Sequence, residues 1–265
     1  METKTILLAF LLTLLAGLST GIGSLISLVA KRTNTNFLSF SLGLSAGVMI
    51  YVSFMEMLPQ SLEIFSEEFG SKVGSLYMLL ALFGGIAFIA IIDFLIPEAS
   101  NPHEVHGVED MKSRKEQLHY TGIITAITIA IHNFPEGIAT FMAALTSFEV
   151  AIPIAVAIAI HNIPEGIAVA VPIYHATGSR RKAFWLSFAS GLAEPLGALI
   201  AFFFLMPFWS PTMNAFVLSA ISGIMIFISL DELLPTAEKF GKHHHAMIGL
   251  IVGMMVMGFS LYLFI

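Results

Sequence analysis

Two stretches decide how this chain is read. Residues 129–139 run I-A-I-H-N-F-P-E-G-I-A, and residues 158–168 run I-A-I-H-N-I-P-E-G-I-A. Ten of eleven positions agree, and the copies lie 29 residues apart. Each copy sets a histidine, an asparagine, a proline and a glutamate inside an apolar run. The surroundings of the pair are apolar too. Of the 265 residues 57% are hydrophobic and 11% are charged, against about 25% charged in soluble domains. That composition excludes an ordinary cytosolic enzyme, a nucleic-acid binder and a disordered chain. No cysteine is present, so disulfides and thiolate metal sites are excluded as well.

Eight apolar segments follow from the pattern, at 5–30, 36–58, 74–96, 120–145, 150–173, 182–206, 213–234 and 245–264. Each is long enough for a membrane helix of ~20 residues, and together such helices leave only about 105 residues for overhang and loops. The segments are too long and too rich in glycine for barrel strands. The first continues past the length of a signal peptide and shows no cleavage site, so it counts as a helix. The expected fold is all-α: a polytopic membrane protein of eight transmembrane helices, forming one domain over 1–265. Its longest loop, 97–119, carries His103, His106 and His119.

Basic residues set the orientation, because they accumulate on the cytoplasmic side. With the N-terminus outside, Lys31, Arg32, Lys112, Arg114, Lys115, Arg180, Arg181, Lys182, Lys239 and Lys242 fall in inner loops. Those are 10 of the 12 basic residues, and only Lys4 and Lys72 fall outside. Both termini are therefore expected outside and the 97–119 loop inside.

The matched pair lies on consecutive helices, so its copies run in opposite directions. A weaker repeat links 47–59 (G-V-M-I-Y-V-S-F-M-E-M-L-P) to 223–235 (G-I-M-I-F-I-S-L-D-E-L-L-P), with seven of thirteen positions shared. Residues 17–26 (G-L-S-T-G-I-G-S-L-I) also resemble 191–200 (G-L-A-E-P-L-G-A-L-I). Segments 1–3 and 6–8 then read as inverted halves around segments 4 and 5. Transporters are often built this way, with the binding site near the midplane where the repeats meet.

Glu136, Glu165 and Glu194 fall near the centres of segments 4, 5 and 6, where an ionised group costs several kcal/mol unless paired or wetted. No Lys or Arg lies deep in any segment. Protons, water or a metal cation must supply the counter-charge, and the spacing favours a metal. His132 and Glu136 are four apart and share a helix face, as do His161 and Glu165. Imidazole nitrogen and carboxylate oxygen suit zinc and other first-row ions, and Asn133 and Asn162 can add carbonyl oxygens. Pro135 and Pro164 lack the N–H that would bond Ile131 and Ile160, so kinks with freed carbonyls are expected. Gly137 and Gly166 are expected to leave room beside the glutamates.

Other acids stand near segment ends: Glu56 in the second, Asp93 in the third, and Asp231 and Glu232 in the seventh. The last two are candidates for an exit path. His243, His244 and His245 form a triplet in an inner loop and could bind metal or simply be solvated. The 14 methionines read as packing residues, and Trp185 and Trp209 as interfacial anchors.

With its paired H-N-x-P-E-G segments and G-L-A-E-P-L-G at 191–197, the chain closely resembles the ZIP (Zrt/Irt-like protein) family of divalent-metal transporters, in particular a bacterial branch of it. The resemblance covers essentially the whole length. It implies a two-metal centre held by His132, Asn133, Glu136, His161, Asn162, Glu165 and Glu194. It also implies uptake toward the cytoplasm, a homodimer, and an elevator-like movement of segments 1, 4, 5 and 6 against 2, 3, 7 and 8. Zinc is the expected substrate, with iron(II), manganese, cobalt and cadmium beside it, and no catalytic cofactor. Two alternatives remain: a proton-coupled metal exporter, and an intramembrane zinc hydrolase, against which stands the lack of H-E-x-x-H and of a fixed three-ligand pattern.

Overall fold

A computed structural model describes residues 3–29, 35–95, 114–146, 148–240 and 242–263. Lys31, Arg32, His103, His106 and Lys112 lie outside the described residues, as does most of the 97–119 loop. The helices are α1 (Thr3–Val29), α2 (Thr35–Val52), α3 (Leu58–Phe69), α4 (Ser71–Leu95), α5 (Arg114–Thr146), α6 (Phe148–Thr177), α7 (Arg180–Gly191), α8 (Ala193–Ile200), α9 (Pro211–Ile228), α10 (Leu234–Phe240) and α11 (His243–Leu263). No strand occurs among the described residues.

Local chemistry starts and stops these elements. Ser179 caps α7 by accepting from Lys182 N at 3.3 Å. Ser210 caps α9 by accepting from Met213 N at 3.1 Å, with Pro211 at the first helical position, where no N–H is needed. Gly70 and Gly178 adopt positive φ (79° and 66°) at the tight links after α3 and α6.

Prolines inside the rods are absorbed in a consistent way. Wider π turns occur at Ser53–Met57, Ala201–Leu205 and Ser229–Leu233. Each ends two residues before a proline, namely Pro59, Pro207 and Pro235. A proline cannot donate to the carbonyl four residues back and its ring collides with it; inserting one residue into the turn relieves both problems. Leu58 N–H accordingly donates to Ser53 O, and Leu234 N–H to Ser229 O. The second and seventh segments therefore run past their expected ends at 58 and 234, to Phe69 and Phe240. The fourth begins earlier than expected, at Arg114, which moves the His119 backbone from the loop into α5. α5 and α6 remain helical through Pro135 and Pro164.

Among the described residues, seven helical runs are long and apolar enough to cross a membrane: Thr3–Leu25, Ser39–Phe69, Ser71–Phe94, Ala151–Val171, Arg180–Phe208, Pro211–Glu238 and His243–Leu263. Leu7, Leu80, Phe83, Phe203, Met255 and Phe259 point outward and are exposed, as the lipid-facing side of a multi-pass protein requires.

The helices fall into two groups. α1, α5, α6, α7 and α8 pack on one another, and so do α2, α3, α4, α9, α10 and α11. The groups meet along α2–α6 and α5–α9. Close backbone approach holds each group together. A Cβ on Gly23 would lie 1.9 Å from Ile163 O, and one on Gly197 2.1 Å from Phe134 O. These contacts fall at matching places in the repeats: 23 aligns with 197, and 163 with 134. Likewise a Cβ on Gly47 would meet Leu250 O at 2.1 Å, and one on the aligned Gly223 would meet Leu82 O at 2.1 Å. Small residues at helix crossings are how membrane helices gain van der Waals contact without a hydrophobic drive.

Adjacent glycines in α4 make a clean test. A Cβ at Gly85 would lie 1.9 Å from Ala220 O, whereas one at Gly84 meets nothing within 4 Å. Gly85→Ala should cost ~1–3 kcal/mol through overpacking. Gly84→Ala should be neutral or slightly stabilising through helix propensity. Thermal unfolding of the detergent-solubilised protein measures both, and equal melting temperatures would contradict the packing.

Candidate metal centre

Asn133, Glu136, His161, Asn162, Glu165 and Glu194 are all completely buried, with 0% exposure. They come from α5, α6 and α8, where those helices pack against α1 and α2. The one-residue break between α7 and α8 falls at Leu192, and Glu194 sits in the first turn of α8. Pro195 accounts for the break, since it cannot bond Gly191 O.

The side chains link the helices in pairs. His161 Nε2 lies 3.0 Å from Glu136 Oε1 and 3.1 Å from Oε2, joining α6 to α5. Asn162 Nδ2 donates a short hydrogen bond to Glu194 Oε1, joining α6 to α8, and a second to Ala16 O of α1 at 3.1 Å. Asn133 Nδ2 donates to Ser190 O of α7 at 3.4 Å. In the repeat alignment Asn133 matches Asn162, and Ser190 matches Ala16, so these two amide bonds correspond.

The same Asn133 amide lies 3.1 Å from Ile129 O and 3.2 Å from Glu165 Oε2, and with its nitrogen turned that way it donates to both. Asn162 Oδ1 has no hydrogen-bond partner among the described residues.

His132 occupies its expected place in α5, but its side chain lies outside the described residues. Among the described residues no three His, Asp or Glu side chains gather as a ready-made metal cluster. Gly137 and Gly166 do not leave the room expected of them. A Cβ on Gly137 would lie 2.0 Å from Glu194 O, and one on Gly166 2.1 Å from Thr20 O. Their role is to let α8 and α1 approach, which brings Glu194 to Asn162.

One contributor is invisible in the motif. Ser45 of α2 is completely buried, and its Oγ lies 3.2 Å from Glu165 Oε1 and 3.4 Å from His161 O. Nothing in its local sequence distinguishes it from neighbouring serines; only the α2–α6 packing does. The remaining candidates are peripheral. Glu56 and Asp231 are half-buried and Glu232 is buried, all within π turns, and Asp93 is half-buried near the end of α4. His243 Nδ1 meets Glu238 Oε1 at 2.6 Å on the surface. Met49, Met57, Met142, Met225 and Met257 are buried packing residues, and Trp185 is exposed.

Comparison with known proteins decides the family. The model of the ZIP zinc transporter family matches residues 95–261. The chain is 60% identical to the zinc transporter ZupT of Streptococcus mutans over 97% of both chains. It is 54% identical to ZupT of Clostridium perfringens, covering 99% of this chain and 98% of that one. It is 56% identical to ZupT of Corynebacterium aurimucosum over 100% of each. The chain belongs to the ZIP family. ZIP membership makes it a multi-pass membrane transport protein rather than an enzyme, which sets aside the intramembrane hydrolase. The H-N-x-P-E-G copies lie within the matched region.

The Asn162 bonds can be checked without any metal. Asn162→Leu removes the donor to both Glu194 and Ala16 O, leaving buried acceptors short of a partner. The expected loss is ~1–3 kcal/mol of stability, read as a lower melting temperature in detergent. An unchanged melting temperature would contradict the Asn162–Glu194 contact.

Proposed function

We propose that this chain carries zinc, together with iron(II), manganese, cobalt and cadmium, across the cytoplasmic (inner or plasma) membrane into the cytoplasm. The ions pass through a two-metal centre made by His132, Asn133, Glu136, His161, Asn162, Glu165 and Glu194. The observation that carries the reading is the gathering on α5, α6 and α8 of three completely buried carboxylates, Glu136, Glu165 and Glu194, with the imidazole of His161 and the amides of Asn133 and Asn162. A divalent cation supplies the positive charge that such a set of buried carboxylates attracts. The names of the ZupT relatives supply zinc as the substrate.

The chemistry follows from the donor set. His161 contributes a borderline nitrogen, while Glu136, Glu165 and Glu194 contribute hard carboxylate oxygens. Such a mixture accepts several first-row ions, because selectivity comes from geometry and availability more than from intrinsic affinity. Each ion exchanges its waters for protein oxygens and nitrogen, displacing pairwise bonds such as His161–Glu136. Those bonds hold the carboxylates when no ion does. Pairwise bonding in place of a rigid cage suits passage, since an ion must leave as well as enter. Release then runs toward Asp231 and Glu232.

Architecture supports the same reading. α5, 33 residues long, would span about 50 Å at 1.5 Å per residue and is the eighth crossing. The halves 1–3 and 6–8 are inverted repeats around α5 and α6. The matched glycine contacts, the matched amide bonds of Asn133 and Asn162, and the π turns at aligned positions before Pro59 and Pro235 all favour this. Both termini lie outside, the whole chain is one transmembrane domain, and two copies form a homodimer. The group of α1, α5, α6, α7 and α8 moves against the other group during transport.

Reconstitution in proteoliposomes tests the site. Glu136→Gln keeps shape and removes charge, and should abolish zinc and manganese uptake while the protein still elutes as a folded species. Undiminished flux of both metals would sink the assignment. Competition among zinc, iron(II), manganese, cobalt and cadmium in the same vesicles should show mutual inhibition.

A further inference from the structure

The two seams between the helix groups correspond in the repeat alignment, α2–α6 with α9–α5, yet they differ in chemistry. At the first, Ser45 reaches from α2 to Glu165 Oε1 (3.2 Å) and His161 O (3.4 Å). The position aligned with Ser45 in α9 is Ile221. At the second seam Ile221 lines an apolar crevice of about 590 Å³ with Ile131, Phe134, Pro135 and Ile138. One seam is closed by a hydroxyl on a carboxylate. Its counterpart is left open between hydrocarbon walls.

A hydroxyl has one proton to give. Of the acceptors around Ser45, the carboxylate of Glu165 is stronger than the carbonyl of His161. The proton therefore goes to Oε1, and this fixes Oε2 toward the Asn133 amide 3.2 Å away. A dication bound by Glu165 drains charge from the carboxylate and weakens it as an acceptor. His161 O lies within reach as the alternative, so the hydroxyl can turn away without being left unsatisfied. Ser45 stands on α2, which packs with α9 and α11, whereas Glu165 stands on α6, which packs with α1 and α5. The bond therefore ties one helix group to the other.

We propose that Ser45 is a positioning residue for metal transport. Its hydroxyl orients Glu165 for the incoming cation and latches α2 to α6, and the cation itself loosens the latch by taking over the carboxylate. The inference rests on the metal reading of the centre, and the test separates the two.

The experiment uses the full chain in detergent and in proteoliposomes, with zinc as the probe. Ser45→Ala should weaken zinc binding about tenfold, the size of a hydrogen bond to a charged group, while the maximal uptake rate stays equal or rises because the latch is gone. Ser53→Ala, another buried serine of the same rod, which faces Met225 Sδ at 4.0 Å, should change neither. Unchanged zinc affinity in Ser45→Ala overturns the proposal, as does a fall in maximal rate alone, which is the mark of a packing defect. Because the chain has no cysteine, Ser45→Cys gives a single thiol at the seam. Its reaction with a small charged thiol reagent should be slow without zinc and several-fold faster with it. A rate indifferent to zinc also overturns the latch. If Glu136→Gln keeps wild-type zinc binding, the metal reading fails. If Glu136→Gln loses binding while Ser45→Ala matches wild type, only the Ser45 assignment fails.

Discussion

Three carboxylates buried at 0% exposure in a helical membrane protein dictate what must surround them. In a medium of low dielectric, each needs hydrogen bonds or a nearby positive charge to stay ionised. Among the described residues, their partners include an imidazole, two amides and a hydroxyl. These partners are strong enough to hold the carboxylates and weak enough to be displaced. A lysine or arginine in the same place would neutralise the site permanently and leave no role for a passing dication. The packing also serves this constraint. Gly137 and Gly166 let α8 and α1 come close enough for Glu194 to meet Asn162. The break at Leu192 and the proline turns give the rods the local freedom that such crossings require.

Much of this is legible in the amino-acid sequence, for identifiable reasons. Membrane helices announce themselves by length and composition, so the expected rods agree with the structure to within a few residues at most ends. The start of α5 and the ends near Pro59 and Pro235 are the exceptions. A proline ordinarily stops or kinks a helix, and the π turn that lets a rod continue depends on one extra residue of slack, which no local pattern announces. The H-N-x-P-E-G copies stood out because ionisable groups are scarce in such helices. Four-residue spacing then placed each histidine and glutamate on a common face.

What stayed hidden depends on packing between distant segments. Ser45 is one of several serines in its helix, and only the approach of α2 to α6 singles it out. The glycines beside Glu136 and Glu165 suggest space, because a missing side chain suggests a void. A neighbouring backbone fills that void: Glu194 O lies 2.0 Å from where a Cβ on Gly137 would stand. The same information could have been recovered from the repeats, because aligned glycines facing aligned carbonyls imply a shared crossing.

The central claim, that these buried groups exist to coordinate a divalent cation, is tested most directly by X-ray absorption on the zinc-loaded protein. The expected result is a shell of nitrogen and oxygen at about 2.0–2.2 Å, with the outer-shell scattering of imidazole, which weakens in His161→Ala. A spectrum of hydrated zinc, identical in the parent protein and in His161→Ala, would contradict it.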